Sequence, residues 1–216
     1  MTRFTLVDVD QRSPEWIAAR LGRLTSSRAA DMLATIKSGQ EAASRRNLRV
    51  QLVLERLTGR SHENGYASAA MKIGIEREAD AIAAYEAITG RVLQRTGFLA
   101  HPSLMAGASL DGHCNDFEGI AEIKSPIPAT HLDYLRTGTI PGEYYKQIVH
   151  ALWITGAQWC DWLSFNPDFP EPLQVKLVRV PRNESEIKSY ELAARLFLDE
   201  VERDAAEVRR MVEAAA

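Results

Sequence analysis

The spacing of apolar residues along the chain alternates between that of a helix and that of a strand. Apolar residues three or four positions apart predict amphipathic helices over residues 13–24, 29–33, 49–57, 71–89, from about 143, and from about 184 to 212. Alternating apolar residues predict strands over residues 91–100, 107–111, 119–125, 159–165 and 173–180. Strands interspersed with helices favour an α/β fold, with a mixed central β-sheet flanked by helices.

The strand predicted over residues 119–125 carries the most distinctive chemistry. Residues two apart in a strand project from the same face, so Glu122 and Lys124 point the same way, beside Ile120. The preceding strand, residues 107–111, ends at Asp111, and the short connection favours an antiparallel pair. Two carboxylates and a lysine would then meet at one sheet edge, which suits metal-assisted phosphodiester hydrolysis. The alternative is an Asp-Gly turn followed by a solvated strand face.

A further carboxylate lies within the apolar stripe of the helix predicted over residues 71–89. Glu78 falls between Ile75 and Ile82, on the stripe that Met71 and Tyr85 complete. A carboxylate on an inward face is costly unless it is paired, protonated or bound to metal. Glu78 is therefore either a third acid of the cluster or one half of a structural salt bridge.

The first predicted helix suggests an anion site. Ser13 is a good N-cap, and Arg20 lies on the same face as the apolar Trp16. Ser27 belongs to a run of cap-type residues before the next helix, and helix starts bind anions. Arg20 and Ser27 could form a phosphate pocket, or they could belong to a plain capped helix with a surface arginine.

Two other polar groups near the cluster are weaker candidates. Gln147 adjoins the apolar face of the helix that starts near Glu143, where it could hydrogen-bond a water or a phosphate, or simply lie on the helix surface. His113 and Cys114 follow Asp111, but without further soft ligands they make no zinc site. We interpret His113 and Cys114 as loop residues.

Composition indicates an ordinary globular protein without a membrane span. The 216 residues are 45% hydrophobic and 25% charged, which favours one domain over residues 1–216. Its expected parts are a basic, helical N-terminal part (1–60), a core (71–180) and a closing helix (184–212). No bilayer-length apolar stretch and no signal peptide is evident. Two cysteines make no disulfide framework, so we expect a reducing, cytoplasmic environment.

Charge is unevenly distributed along a chain whose net charge is −3. Residues 1–60 hold 11 Lys and Arg against 6 Asp and Glu, whereas residues 61–170 hold 7 against 13. An acidic centre suits a metal site, and a basic flank could hold a polyanion over it. Chance asymmetry is the alternative.

The order of these motifs resembles the PD-(D/E)XK nuclease superfamily, and more closely the phage lambda exonuclease and YqaJ-type viral recombinase family. The matching stretches cover residues 16–27, 74–90, 107–126 and 144–167, in the order and at the approximate spacing of the family. Two departures are Leu110, where the family usually has proline, and His150 with Ala151, which replace an aromatic residue.

The resemblance implies a role for each matched residue. Asp111, Glu122 and the backbone carbonyl of Ile123 would bind Mg²⁺, and Glu78 would serve a second ion, with Mn²⁺ as a substitute. Lys124 would contact the attacking water, and Gln147 would lie at the edge of the site. Arg20 and Ser27 would bind the 5′-phosphate of the strand being cut.

The function implied is Mg²⁺-dependent hydrolysis of double-stranded DNA from its 5′ ends, which releases mononucleotides and leaves 3′ single strands for recombination. The resemblance also implies a ring of three subunits and DNA ends as the partner, with a single-strand annealing protein as a candidate second partner. The alternatives are a single-strand or nicking nuclease of the same fold, and a catalytically silent scaffold that binds DNA ends.

Overall fold

The computed structural model describes residues 3–62 and 69–215. Its helices begin with α1, whose predicted cap is present: the Ser13 hydroxyl accepts a hydrogen bond from the Trp16 N–H at 3.1 Å. The helices are α1 (Pro14–Arg20), α2 (Ala29–Met32), α3 (Ala43–Thr58), α4 (Ala69–Thr89), α5 (Pro128–Thr137), α6 (Gly142–Thr155) and α7 (Glu184–Ala215). Among the described residues, no helix is long and apolar enough to cross a membrane.

The described strands form two mixed sheets. One contains β1 (Thr5–Val7), β2 (Leu24–Thr25), β3 (Phe98–Ala100) and β4 (Ala106–Ser109), in the order β1-β3-β4-β2. The other contains β5 (Gly112–Cys114), β6 (Gly119–Lys124), β7 (Trp159–Phe165) and β8 (Val175–Pro181), in chain order. The β6–β7 pair is parallel and its flanking pairs are antiparallel. The predicted α/β class with mixed pairing is confirmed, although the strands are divided between two sheets.

Strand β6 is covered on both faces. Ile120 packs in the larger core with Trp162 of β7 and with residues of α6 and α7. Ala121 and Ile123 pack on the other face, against Tyr85 of α4. A strand that is buried on both sides has little freedom to slip, because a shift of one residue would exchange its two faces. The polar residues of β6 are therefore held in a defined register.

A buried polar network attaches α4 to the second sheet. The Tyr85 hydroxyl donates a hydrogen bond to the Asp161 carboxylate at 2.9 Å. Arg179 of β8 donates two more to the same carboxylate, both at 2.7 Å, and its guanidinium stacks on Trp159 at 3.8 Å. Because the Asp161 charge is paired and fully hydrogen-bonded, it is tolerated in the interior. The network positions α4, and with it Glu78, against the sheet.

Several arginines of the basic N-terminal part form ion pairs within the protein. Arg49 of α3 contacts Glu41, Glu200 and Asp204, and Arg45 contacts Glu41 and Glu200. These ion pairs join α3 to the long helix α7. The positive charge seen in the sequence is thus partly neutralised by the acids of α7, and only part of it faces outward.

Several predictions about elements are wrong in extent or pairing. The antiparallel partner of β6 is β5, whereas β4 lies between β3 and β2 in the other sheet. The reversal occurs at residues 115–117, each with a positive φ, which lie within the predicted connection between Asp111 and Gly119 and not at the alternative Asp111-Gly112 turn. His113 and Cys114 are consequently buried strand residues and not loop residues.

The remaining differences concern helices and short strands. The N-terminal part is not only helical, because it also contributes β1 and β2. The linking segment after Pro126 contains α5, and of residues 91–100 only Phe98–Ala100 form a strand. The apolar stripe of α4 is only partly buried. Ile75, near the start of the helix, is exposed, whereas Tyr85 is fully buried. The side chain of Met71 lies outside the described residues.

His150 joins three elements near the site. It is fully buried on α6, where its ring bonds the Tyr190 hydroxyl of α7 at 2.7 Å and the Gly107 carbonyl of β4 at 3.0 Å. Gln147 lies three residues before it, and Gly107 lies four residues before Asp111. The ring therefore fixes the distance between α6 and the strand that leads to Asp111.

We expect His150 to make the protein less stable in acid. Burial lowers the pKa of His150 to about 4, from an ordinary value near 6.5. Between these pH values the unfolded chain binds a proton that the native protein does not. Stability should therefore fall as the pH drops through this window, by roughly 3 kcal/mol at 1.36 kcal/mol per pKa unit.

Urea unfolding between pH 4 and 7.5 would measure the effect. His150→Gln keeps hydrogen-bonding groups but does not titrate, so its stability should depend less steeply on pH than that of the wild type. His62→Gln, at an exposed position, is the matched control. Parallel pH profiles for wild type and His150→Gln would contradict the expectation.

Candidate active site

Asp111 lies where the chain passes from β4 to β5. Its Oδ2 accepts a hydrogen bond of 2.6 Å from the backbone N–H of Ile123 on β6. Gly112 pairs with Ala121 in the antiparallel register, which places Asp111 opposite Glu122. The two carboxylates are therefore neighbours, as the sequence predicted, although the strand pair that joins them is β5–β6.

Glu122 and Lys124 project from the same face of β6. The Lys124 ammonium forms an ion pair with Oε1 of Glu122, and the Gln147 amide donates a hydrogen bond of 2.7 Å to the same oxygen. Glu122 is 4% exposed, so its charge depends on these two partners. Gln147, one of the weaker candidates, is thus in direct contact with the carboxylate.

Electrostatics at the site follow from burial and from the neighbouring carboxylates. Burial and then the charge of Glu122 raise the pKa of Asp111, while Lys124 partly opposes the shift. Burial on its own lowers the pKa of Lys124, but the carboxylates of Glu122 and Asp111 raise it above its ordinary value. The lysine is therefore an ammonium at neutral pH, and it offsets the negative charge of the neighbouring carboxylates.

Glu78 lies at the rim of the site and is held by two arginines. Its Oε2 contacts Arg12 at 2.8 Å and its Oε1 contacts Arg95 at 3.0 Å. Its side chain is 21% exposed, so the predicted inward position is only partly realised. The salt-bridge alternative describes the structure, with two partners rather than one.

A cleft connects these groups. One part, of 650 Å³, is lined by Arg12, Glu78, Arg95 and Asp111. The adjoining part, of 400 Å³, is lined by Glu78, Asp111, Lys124 and also Tyr144, whose ring lies 5.0 Å from the Lys124 ammonium. Because Glu78 and Asp111 line both parts, the two form one opening onto the acidic cluster.

Arg20 is brought close to this cluster through Ser109. Its guanidinium lies over Trp16 at 4.2 Å and reaches the Ser109 hydroxyl at 3.5 Å, to which Trp16 also donates a hydrogen bond at 2.9 Å. Ser109 precedes Asp111 by two residues.

Ser27 lies in a less regular environment than its sequence suggested. It is exposed in a short 3₁₀ turn, Ser26–Arg28, that leads into the four-residue helix α2, so no long helix starts at this point. Its hydroxyl is 3.4 Å from that of Thr25. The structure does not place Ser27 in direct contact with Arg20 among the bonds it describes.

Several residues of the site were not predicted from the sequence. Ser109 could have been found from its two-residue spacing to Asp111, which places both on one face of an extended chain. Arg12 and Arg95 follow no local pattern and reach Glu78 only through tertiary folding. Tyr144 lies three residues before Gln147, and this helical spacing could have placed it on the same side of the helix.

The donor chemistry of the site fits a hard divalent cation. Carboxylate and carbonyl oxygens are the ligands that Mg²⁺ prefers, and the strand register brings the carboxylates of Asp111 and Glu122 side by side. Among the described residues, however, no three His, Cys, Asp or Glu side chains are already grouped to hold a metal ion. The reason is visible in the contacts, because Glu122 is turned to Lys124 and Gln147 while Glu78 is turned to its arginines.

A mixed α/β fold that brings two carboxylates and a lysine to one cleft defines the class as a nuclease, and the comparisons identify the family. The YqaJ-like viral recombinase domain matches residues 15–158, so the chain belongs to this family. This confirms the predicted resemblance and the prediction that the chain is an enzyme, since the family is one of nucleases with a role in recombination.

Solved structures agree. The chain is 37% identical to an alkaline exonuclease, LHK-Exo, from Laribacter hongkongensis, with a TM-score of 0.85 over 94% of this chain and all of the other. The complex of LHK-Exo with dAMP gives 36% identity and a TM-score of 0.86 over the same shares. A phage-related exonuclease from Haemophilus somnus 129PT shares the fold, at 14% identity and a TM-score of 0.69 over 86% of this chain and 96% of that one. A comparison with curated proteins gave no significant match.

Proposed function

We propose that the protein is a Mg²⁺-dependent exonuclease that digests double-stranded DNA from its 5′ ends and leaves 3′ single strands for recombination. The observation that carries this proposal is a cleft lined by Asp111 and Lys124, with Glu78 at its rim and Glu122 paired with Lys124. The relative LHK-Exo is an exonuclease with a structure in complex with dAMP, which supports mononucleotides as the product. A DNA substrate and a recombination role make the bacterial or phage-infected cytoplasm the expected location.

Asp111, Glu122 and the carbonyl of Ile123 would hold one Mg²⁺, and Glu78 would serve a second, with Mn²⁺ able to replace either. When bound, such cations supply positive charge that offsets the charge developing on the phosphate. Lys124 is protonated, so its ammonium would orient the attacking water and stabilise negative charge rather than accept a proton. Gln147 would lie at the edge of the site, in contact with one oxygen of Glu122.

Arg20 and Ser27 would bind the terminal 5′-phosphate, with Ser109 as the link to the cluster. Guanidinium groups suit phosphate because they offer several donors in one plane. The contact between Arg20 and Ser109 supports this assignment, since it directs the arginine toward the strand that carries Asp111. The role of Ser27 rests on the family resemblance.

Labelled duplex DNA would test the reaction. Asp111→Asn should lower Mg²⁺-dependent digestion by more than roughly 100-fold, the upper range for residues that merely support a ligand. Lys124→Gln should lower turnover severely with an unchanged Mg²⁺ requirement, because its role is on the water. The readout is release of nucleotides from 5′-labelled and 3′-labelled ends, with and without EDTA.

Asp116→Asn is the matched control, since it removes an exposed carboxylate from the same hairpin. Single-stranded and nicked circular substrates distinguish the alternative nucleases, and a scaffold would bind ends but release nothing. Near-normal digestion by Asp111→Asn would show that the chemistry lies elsewhere.

The 5′-phosphate pocket makes a separate prediction. A duplex with a 5′-phosphate should be digested faster than one with a 5′-hydroxyl, and Arg20→Ala should remove most of the preference. Hydrogen bonds to charged groups contribute about 1.5–3 kcal/mol, which corresponds to roughly tenfold or more in rate. Ser27→Ala should have a smaller effect, and Arg20→Lys should restore only part of the preference.

Arg23→Ala controls for loss of positive charge in the same segment. If wild type digests both ends equally, or if Arg20→Ala keeps the preference, the 5′ assignment fails. A generic nuclease would then be the better description.

We also propose a closed ring of three chains that encircles DNA, with a single-strand annealing protein as a candidate partner. Closed symmetry is usual for homo-oligomers. A channel lined by basic residues would reconcile a net charge of −3 with a polyanionic substrate. Sedimentation should give about 72 kDa, three times the 24.1 kDa chain, and a processive monomer would contradict the ring.

A further inference from the structure

Glu78 is shared by two arginines that come from different parts of the chain. Arg12 precedes α1 and Arg95 precedes β3, and each takes a different oxygen of the carboxylate, at 2.8 Å and 3.0 Å. Both arginine side chains remain more than half exposed, at 54% and 64%. One carboxylate therefore bridges the guanidiniums of two arginines whose side chains are largely exposed.

The backbone holds this arrangement in place. Arg12 has a φ of +72°, a left-handed conformation that costs a residue with a side chain about 1 kcal/mol or more. The neighbouring Gln11 amide donates hydrogen bonds to the carbonyls of Thr96 at 3.0 Å and Leu110 at 2.8 Å. Gln11 thereby joins the segment of Arg95 to the segment of Asp111, and Arg12 is held between them.

The charges that line this part of the cleft are unbalanced. Arg12 and Arg95 face four carboxylates, those of Asp8, Asp10, Glu78 and Asp111. While Glu78 is paired with both guanidiniums, these two arginines are not available to bind a polyanion. Once Glu78 withdraws, two planar guanidinium groups become available at the mouth of the cleft, and phosphate is the anion they suit best.

We propose that Arg12 and Arg95 form a phosphate clamp that Glu78 occupies in the metal-free protein and that binds a DNA backbone phosphate once Glu78 turns to a divalent cation. The inference rests on the proposed function, in which Glu78 is a metal ligand. A cation that draws Glu78 away from the arginines also frees them for phosphate, so cation binding and phosphate binding favour each other through this exchange. The cation-loaded protein therefore binds the DNA backbone through Arg12 and Arg95.

The clamp can be tested without metal and without turnover. Glu78→Gln removes the charge that holds the arginines, so in EDTA it should bind a labelled duplex more tightly than wild type. We expect the affinity to rise by about fivefold or more, the lower end of typical couplings between sites. The dependence of affinity on salt should also steepen by about 0.9 for each additional phosphate that the protein neutralises. Fluorescence anisotropy at several salt concentrations measures both.

The controls separate a released clamp from a simple loss of negative charge. Asp10→Asn removes the same charge from the same cleft but leaves Glu78 on its arginines, and should raise the affinity less. In an Arg12→Gln/Arg95→Gln background, Glu78→Gln should add no more affinity than Asp10→Asn does.

Two outcomes would overturn the clamp. One is an equal rise in affinity from Glu78→Gln and Asp10→Asn, and the other is a rise from Glu78→Gln that persists without the arginines. Glu78→Ala repeats the test if the glutamine retains one arginine. Digestion by wild type in Mg²⁺, run on the same preparation, reports on the proposed function: a clamp can fail in an active nuclease, and an inactive protein can still show the clamp in EDTA.

Discussion

The hydrogen bond from the Ile123 N–H to the Asp111 carboxylate joins the two chain segments on which the site depends. It places Asp111 opposite Glu122, and burial of β6 on both faces keeps that register. The Tyr85–Asp161–Arg179 network then sets α4 against the sheet, and His150 sets α6 against β4. Each contact fixes one wall of the cleft relative to this bond.

Charge compensation is the second constraint. Burying adjacent carboxylates is costly, so each acid at the site has partners that stabilise it. Glu122 contacts Lys124 and Gln147, Glu78 contacts two arginines, and Asp111 accepts a hydrogen bond from a backbone amide. In the proposed exchange, a divalent cation would compete with the two arginines for Glu78 and release them, which would link cation binding to DNA binding.

Much of the site was predictable because local rules govern it. The two-residue spacing of Glu122 and Lys124 sets their common face in any strand, and the cap at Ser13 needs no tertiary information. The pairing of β6 was not predictable in the same way. Asp111-Gly112 resembles a turn, but the reversal falls at residues 115–117, where even Phe117 takes a positive φ. Burial of His113 and Cys114 in β5 outweighs the local preference for a turn at Asp-Gly.

The sequence by itself determined the carboxylate–lysine set, its order along the chain and the α/β class, because these follow from residue types and short periodicities. Only the tertiary structure decided which strand pairs with β6, where the N-terminal arginines go and what holds Glu78. Arg45 and Arg49 pair with acids of α7 roughly 150 residues away, and Arg12 and Arg95 approach Glu78 from two different segments. Such contacts join residues that are far apart in the sequence, so the spacing of residues along the chain does not predict them.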